Sequence, residues 1–462
     1  METELTVVIL AAGLGTRMKS SKAKVLHRAG GKALIEHVVD TALALTGPER
    51  VFVVVGHQAE QVREVLASRG VGFIGQREQK GTGHALLSGR EALSGLSGRL
   101  MVLYGDAPLI TGATLRRLVA AQQEARAAGT VITAMVDDPT GYGRVIERGG
   151  AVEAIVEQKA GTPEQLKVKE INSGIYCFDA GDFWRHVGEI RTDNPAKEYY
   201  LTDIVEIFNR AGKSVRALRI DDPAEALGIN DRIELAKVDA IFRTRKVEEL
   251  MRSGVTIEKP ETVTIDPGVR VGMDTIIGPF TQLLGATTIG GQCEIGACSI
   301  LEDSQVGDRV QVKPFTSIAG SRLGDEAQVG PYARIRMGAQ LEGGAHVGNF
   351  VELKNTRLGA KSKSMHLAYL GDSDIGERVN VGAGTITCNY DGVKKHATKI
   401  GNGVFVGSNS TLVAPIEIGE GAYLGAGSVI TDNVPSDALA VGRARQISKE
   451  GWARKRRESR SS

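Results

Sequence analysis

The sequence predicts two domains of different class joined by a helix: an α/β domain with a mostly parallel sheet, then a parallel β-helix of hexapeptide repeats. Three observations predict this. Short β-rich runs alternate with helical stretches through the first half of the 462 residues. A long helical pattern from Asp231 to Arg252 interrupts them and stops at Ser253-Gly254. Beyond it, apolar residues recur at every sixth position. The expected boundaries are 1–230, a linker helix over 231–254, and 255–462.

In the first domain, Val7 to Leu10 reads as a buried strand and Ala33 to Leu45 as a helix. Val51 to Val55 is a second strand and Glu60 to Ala67 a second helix. Leu100 to Tyr104 is a third strand, ending in Gly105-Asp106. Ligands of such sheets collect at the carboxyl ends of strands. That places two polar segments together: the glycine loop after Leu10, and Gly105-Asp106.

In the second domain the six-residue period runs through Ile265, Val271, Ile277, Leu283, Ile289, Ile295 and Leu301. It returns from Leu323 to Leu353 and again from Ile400 to Ile430. Each hexad forms one side of a triangular coil, with its apolar residue inside. The phase breaks between about Arg357 and Ile375, and between Thr387 and Ile400. Both breaks are expected to be loops outside the coil. The second carries Asn389-Tyr390-Asp391-Gly392 and Lys394-Lys395-His396.

Composition narrows the function. Hydrophobic residues make up 42% and charged residues 24%, which excludes a disordered chain. Lys plus Arg exceed Asp plus Glu by two (57 against 55), so bulk charge selects no polyanionic partner. With few aromatic residues (5%), a base-stacking surface is not expected, and no nucleic-acid partner is read. Cys177, Cys293, Cys298 and Cys388 form no metal or disulfide spacing. No signal peptide or membrane span is read, so a cytoplasmic protein without a membrane partner is expected. The basic run from Arg454 to Arg460 is read as a solvated tail.

Three motifs carry chemistry. Leu10-Ala11-Ala12-Gly13-Leu14-Gly15-Thr16-Arg17-Met18, with Lys22 and Lys24 behind it, suits a triphosphate. Glycines expose backbone N–H groups, and Arg and Lys offset charge. It is neither a dinucleotide fingerprint nor a Walker loop. Alone, such a loop is as readily a structural turn. Gln76 and Gln79-Lys80-Gly81-Thr82-Gly83 could meet a nucleobase, or Thr82 could simply cap a helix. Asp106, at a strand's carboxyl end beside the glycine loop, is placed for Mg2+.

These motifs resemble those of the sugar-nucleotide pyrophosphorylases. Asp138-Pro139-Thr140-Gly141-Tyr142-Gly143-Arg144, Ile155-Val156-Glu157, Ile171-Asn172-Ser173-Gly174 and Glu198-Tyr199-Tyr200-Leu201-Thr202-Asp203 narrow the likeness. Joined to a hexapeptide β-helix, they resemble the bacterial bifunctional N-acetylglucosamine-1-phosphate uridylyltransferase/glucosamine-1-phosphate N-acetyltransferase family from Thr6 to Trp452. The chain departs from that pattern at Ala23 and Met337, where proline is common.

The resemblance implies a Rossmann-like nucleotidyltransferase domain and a left-handed β-helix. It implies UTP and acetyl-CoA as co-substrates, Mg2+ as cofactor, and a homotrimer with shared sites. Leu10, Ala11, Ala12, Gly13, Lys24, Gln76, Gly81 and Thr82 would hold the nucleotide, with Arg17 and Lys24 catalytic. Tyr104, Gly105, Gly143, Glu157 and Asn172 would complete the UDP-sugar site, and Asp106 and Asn230 would bind Mg2+. In the β-helix, His366 would be the general base, and Arg336, Lys354, Tyr369 and Asn380 would bind glucosamine 1-phosphate. Ala383, Asn389, Tyr390, Ser408, Ala426 and Arg443 would contact acetyl-CoA. Two other readings stay open: a monofunctional nucleotidyltransferase with a regulatory or oligomerising β-helix, and a β-helix that is pure scaffold. His366, Asn389-Tyr390 and the pair Arg336 and Lys354 discriminate, since a scaffold has no use for them.

Overall fold

The computed structural model describes residues 4–460. The chain divides into two compact units after Phe242. The expected long helix is present at Arg232–Arg252, and the division falls within it.

The first unit is built on one sheet. Its strand order is Val215–Arg219, Gly129–Met135, Glu170–Asp179, Arg99–Tyr104, Leu5–Leu10, Val51–Val55, Gly72–Gly75. Neighbours pair in parallel except on both sides of Glu170–Asp179. A hairpin, Arg144–Arg148 with Ala151–Val156, branches from that antiparallel strand. The central strand is apolar on both faces because helices cover both: Val7 and Ile9 belong to one core, Val8 and Leu10 to another. The expected helices occur at Leu34–Leu43 and Ala59–Leu66. Leu100 to Tyr104 is not the third strand in chain order. Gly72–Gly75 precedes it and pairs with Val51–Val55. Two glycines in four residues leave this edge strand without a strand-like apolar run, and it was not anticipated.

The second unit is the stack of parallel strands of a left-handed β-helix. Among the described residues its three faces hold 11, 10 and 9 strands. The inward files are aliphatic: on one face Leu283 is followed by Leu301, Ile318, Ile335, Leu353 and Leu370, all buried. Each such side chain contributes on the order of 1.5–3 kcal/mol of transfer free energy.

The stretch from Arg357 to Ile375 is not a loop. Strands Arg357–Leu358, Lys363–His366, Tyr369–Gly371 and Ser373–Ile375 continue the stack without interruption. Two features hide them. Leu353 to Leu358 and Leu370 to Ile375 are five-residue steps, and the inward position between them is Ser364. The second expected break is a loop: the chain leaves the coil after Ile386–Cys388 and rejoins it at Thr398–Ile400. Tyr390 and Lys395 bridge across it.

Ser364 Oγ is buried with no hydrogen-bond partner among the described residues. An unmet buried hydroxyl costs about 1–3 kcal/mol. Ser364→Ala should therefore raise the thermal midpoint of the β-helix by roughly 2–4 °C. A lowered midpoint would show that the hydroxyl has a partner.

The four cysteines are free thiols. No described helix is long and apolar enough to cross a membrane. The basic run forms a short helix, Trp452–Glu458, exposed throughout.

Candidate active sites

The first site is a cleft of about 550 Å3 at the carboxyl ends of the parallel strands. Leu10 to Arg17 form one wall, directly after the first strand. Ala11 N–H donates to Val54 O at 2.9 Å, and Met18 N–H closes a turn on Gly15 O at 3.0 Å. Between these anchors, the N–H groups of Gly13, Leu14 and Gly15 have no protein acceptor among the described residues. They are donors available to an anion.

Charged groups meet at the floor. Lys24 Nζ forms an ion pair with Asp106, and Arg17 Nη2 donates to Asn230 Oδ1 at 2.7 Å. Ile229 N–H donates to Asp106 O at 2.9 Å, which ties the Asn230 segment to the strand end. Asp106 and Asn230 thus supply a carboxylate and an amide oxygen, the hard donors that suit a small divalent cation. No cluster of three or more His, Cys, Asp or Glu exists among the described residues, so phosphate and water oxygens would complete such a shell.

The Gln76–Thr82 element also lines the cleft. Gln76 is buried, and its Nε2 is spent on Gly81 O (3.2 Å) and the His84 ring (3.1 Å). Its Oε1 remains as an acceptor. Gly81 has φ +106°, and a Cβ there would lie 2.7 Å from Tyr199 O. That close approach lets Tyr199 stitch the segment down, through Tyr199 N–H to Lys80 O and Gly83 N–H to Tyr199 O, both 2.8 Å.

Tyr104 joins this cleft to a second cluster. Tyr104 is partly buried, and its phenol is pushed well above the usual range by desolvation and then by the Glu157 charge, against a hydrogen bond with Thr82. Asn172 N–H donates to Gly143 O at 2.9 Å, where the strand Glu170–Asp179 shifts register between Asn172 and Tyr176. Gly105, Gly143, Glu157 and Asn172 lie beside the cleft and not on its wall; the other expected nucleotide-site residues line it.

On the β-helix the expected residues fall into separate groups. Arg336, Lys354 and Gly371 are register partners on three successive coils. Arg336 Nε donates to Glu352 at 2.6 Å, and Lys354 Nζ lies 3.6 Å from Asp372. Burial pushes Asp372 up, but hydrogen bonds from Asn355 and Asn389 and the charges of Lys354 and Lys395 hold it below the usual carboxylate range. Lys395, on the projecting loop, is lowered by contact with Lys354. Gly371 makes room for this group: a Cβ would lie 2.5 Å from Tyr369 Oη and 2.6 Å from Asn389 Nδ2.

His366 belongs to another edge of the prism. It is exposed and pairs in register with Asn349, whose Oδ1 lies 2.8 Å from His366 Nδ1. An amide oxygen there requires Nδ1 to donate, which leaves Nε2 as the basic nitrogen. Backbone bonds carry the same edge onward: Gly384 N–H to His366 O, Asn409 N–H to Ala383 O at 2.7 Å, Gly427 N–H to Ser408 O at 2.8 Å. His366, Ala383, Ser408 and Ala426 therefore follow one another on successive coils. Arg443 lies past the last of them, its Cδ 3.7 Å from a Cβ built at Gly427. Asn380 stands on an outer face beside Lys363, and Tyr390 on the loop donates to Gly392 O at 2.6 Å.

Residues 7–159 match the MobA-like NTP transferase domain, and residues 397–432 match the bacterial transferase hexapeptide model of six repeats. The bifunctional protein GlmU of Solibacter usitatus (strain Ellin6076) is 64% identical over 459 residues, 99% of this chain and 98% of that protein. The chain belongs to the GlmU family. The GlmU proteins of Koribacter versatilis (50% identical; 98% and 97% covered) and Fervidobacterium nodosum (48%; 98% of each) extend the same likeness.

Several residues of this GlmU-family chain line the cleft without having been assigned a role from sequence. Tyr142, Ser173 and Glu198 are among them. All three stand in motifs quoted above, and the motifs were their signal. In the β-helix, Glu352 and Asp372 were missed, because their partners Arg336 and Lys354 lie about one coil away in sequence.

Proposed function

We propose that the chain acetylates glucosamine 1-phosphate with acetyl-CoA, then transfers UMP from UTP to N-acetylglucosamine 1-phosphate, giving UDP-N-acetylglucosamine and pyrophosphate. Residues 1–230 carry the uridylyl step and 255–462 the acetyl step, with 231–254 between them. The observation that carries this reading is that each unit has its own set of groups: free backbone N–H donors with oxygen ligands in one, and a basic nitrogen and a pair of cations, on separate edges, in the other.

In the uridylyl step, Gln76 Oε1 accepts from the nucleobase, and the N–H groups of Gly13 to Gly15 hold the phosphates. Asp106 and Asn230 would hold Mg2+, which would supply positive charge against the phosphoryl oxygens. Arg17 and Lys24 are released from Asn230 and Asp106 and turn to the same oxygens. The sugar phosphate attacks the α-phosphorus in line, and pyrophosphate leaves. Tyr104, Gly143, Glu157 and Asn172 orient the sugar. In the acetyl step, Arg336 and Lys354 hold the sugar phosphate, and His366 Nε2 takes the proton of the amine as it attacks the thioester.

Within one chain, the His366 edge, the Arg336–Lys354 group and Asn380 occupy different parts of the prism. That dispersal supports a homotrimer whose acetyl sites are completed by neighbouring copies. Cytoplasmic placement fits the free thiols and soluble substrates.

The test measures two products from the full chain: thiol from acetyl-CoA with glucosamine 1-phosphate, and pyrophosphate from UTP with N-acetylglucosamine 1-phosphate. Both are expected. Pyrophosphate without thiol would make the β-helix a scaffold. Gly371→Ala offers a finer check. By displacing Tyr369 and Asn389 it should lower acetyl-transfer kcat/KM by about 10²-fold at an unchanged melting temperature. Full activity would remove these side chains from the site.

A further inference from the structure

Glu157 is a carboxylate with no cation partner among the described residues. Burial pushes its carboxyl above the usual range, Thr202 opposes the shift, and the neighbouring Glu198 adds to it. Thr202 Oγ1, on a residue only 4% exposed, donates to Glu157 Oε1 at 3.1 Å. The other titratable groups that sense Glu157 are Tyr104, Tyr176, Tyr200 and Asp203. Asp203 is itself raised to about 6, by burial and then by Glu206 and Glu157. No salt bridge reaches Glu157 among the described residues, so one protein hydroxyl is its support. A poorly solvated anion in acidic company needs more donors than that. A neutral ring carrying hydroxyls or an amide N–H supplies them; a second anion cannot.

The backbone places that hydroxyl. Leu201 N–H donates to Thr82 Oγ1 at 3.1 Å, and Thr82 hydrogen-bonds with Tyr104. Consecutive residues therefore touch two elements: Leu201 the Gln76–Thr82 wall, and Thr202 the carboxylate.

We propose that Thr202 is a positioning residue for uridylyl transfer, which through Oγ1 aims Glu157 at the sugar and keeps it an acceptor. It rests on the reading that Glu157 meets the sugar ring. Thr202 never touches the reacting atoms. It acts by favouring the ionised carboxylate, the form that can accept from a hydroxyl. The sign follows. As pH falls through the Glu157 pKa, the carboxylate takes a proton and sugar binding weakens. Removing the Thr202 donor raises that pKa further, so the loss sets in at higher pH.

The experiment compares Thr202→Val, Thr202→Ser and Glu157→Gln by steady-state uridylyl transfer across acid to alkaline pH. Thr202→Val should raise KM for N-acetylglucosamine 1-phosphate about ten- to a hundredfold, the worth of a hydrogen bond to a charged group. KM for UTP and the acetyl-transfer rate should hold. The acid limb of kcat/KM for the sugar phosphate should move to higher pH, and Thr202→Ser should restore it. Thr202→Ala replaces the valine if that variant does not fold. If Glu157→Gln raises the sugar KM while Thr202→Val leaves it and the acid limb unmoved, the proposal is overturned and Glu157 keeps its role. If Glu157→Gln leaves the sugar KM unchanged, the underlying reading of Glu157 fails, and this proposal with it.

Discussion

Replacing His366 with alanine lowers acetyl transfer about 10²–10⁴-fold, the usual worth of a general base, and leaves uridylyl transfer at its original rate. The amine of glucosamine 1-phosphate must shed a proton as it attacks the thioester. In the proposed reading His366 would take that proton at Nε2, because Asn349 Oδ1, 2.8 Å away, fixes Nδ1 as the donor. The side chain is exposed on the edge of the coil, so alanine leaves no cavity and no unpaired buried group. Loss of rate at unchanged stability would therefore report chemistry. Asn349→Ala gives a graded companion: freed to turn and to change tautomer, His366 should keep part of its effect. Undiminished thiol release from the His366→Ala protein would dismiss His366 as the base.

Asp106→Ala should do the converse, lowering uridylyl transfer about 10²–10³-fold, as for the loss of one electrostatic stabiliser at a transition state. The substitution removes the carboxylate of the two oxygens proposed to hold Mg2+ and also the partner of Lys24. The freed ammonium can still turn to phosphate, so nucleotide affinity should fall less than rate. Asp106→Asn separates the two effects: it keeps an oxygen ligand, loses the charge, and should retain more activity at high Mg2+. Acetyl transfer should be untouched in both, and the pyrophosphate assay reads the difference. Equal loss of both activities in a folded protein would defeat the model of independent sites.

Much of the fold was legible in the sequence, because both architectures impose a period. Strand Val51–Val55 stands where its apolar run stands, since a central parallel strand is buried on both faces. The inward position of a coil demands a compact aliphatic residue, and wherever it has one, as at Ile335 or Leu412, the coil is visible. Where Ser364 and Thr387 take that place, the period fades although the backbone does not change. Gly72–Gly75 was lost for a similar reason, being an edge strand with little to bury. The sites divide likewise. The glycine loop, Lys24 and Asp106 are legible because a strand end gathers residues that are close in sequence or on adjacent strands. The acetyl set, spread from Arg336 to Arg443, has no local signature, and resemblance alone assembled it. The pairing of Lys24 with Asp106, and of Arg17 with Asn230, had no sequence signal at all.

The edge that runs from His366 through Ala383 and Ser408 to Ala426 advances one coil at a time. Parallel strands keep a spacing of about 4.8 Å, so three steps span roughly 14 Å. The prism is thus a ruler. On the acetyl site proposed above, an acyl carrier laid along that edge would be measured from its far end to the basic nitrogen in whole coils, past a small residue at each mark. One extra coil would lengthen the scale by about 4.8 Å with no residue of either site altered, and a carrier of unchanged length, held at its far end, would then stop that one step short of the histidine.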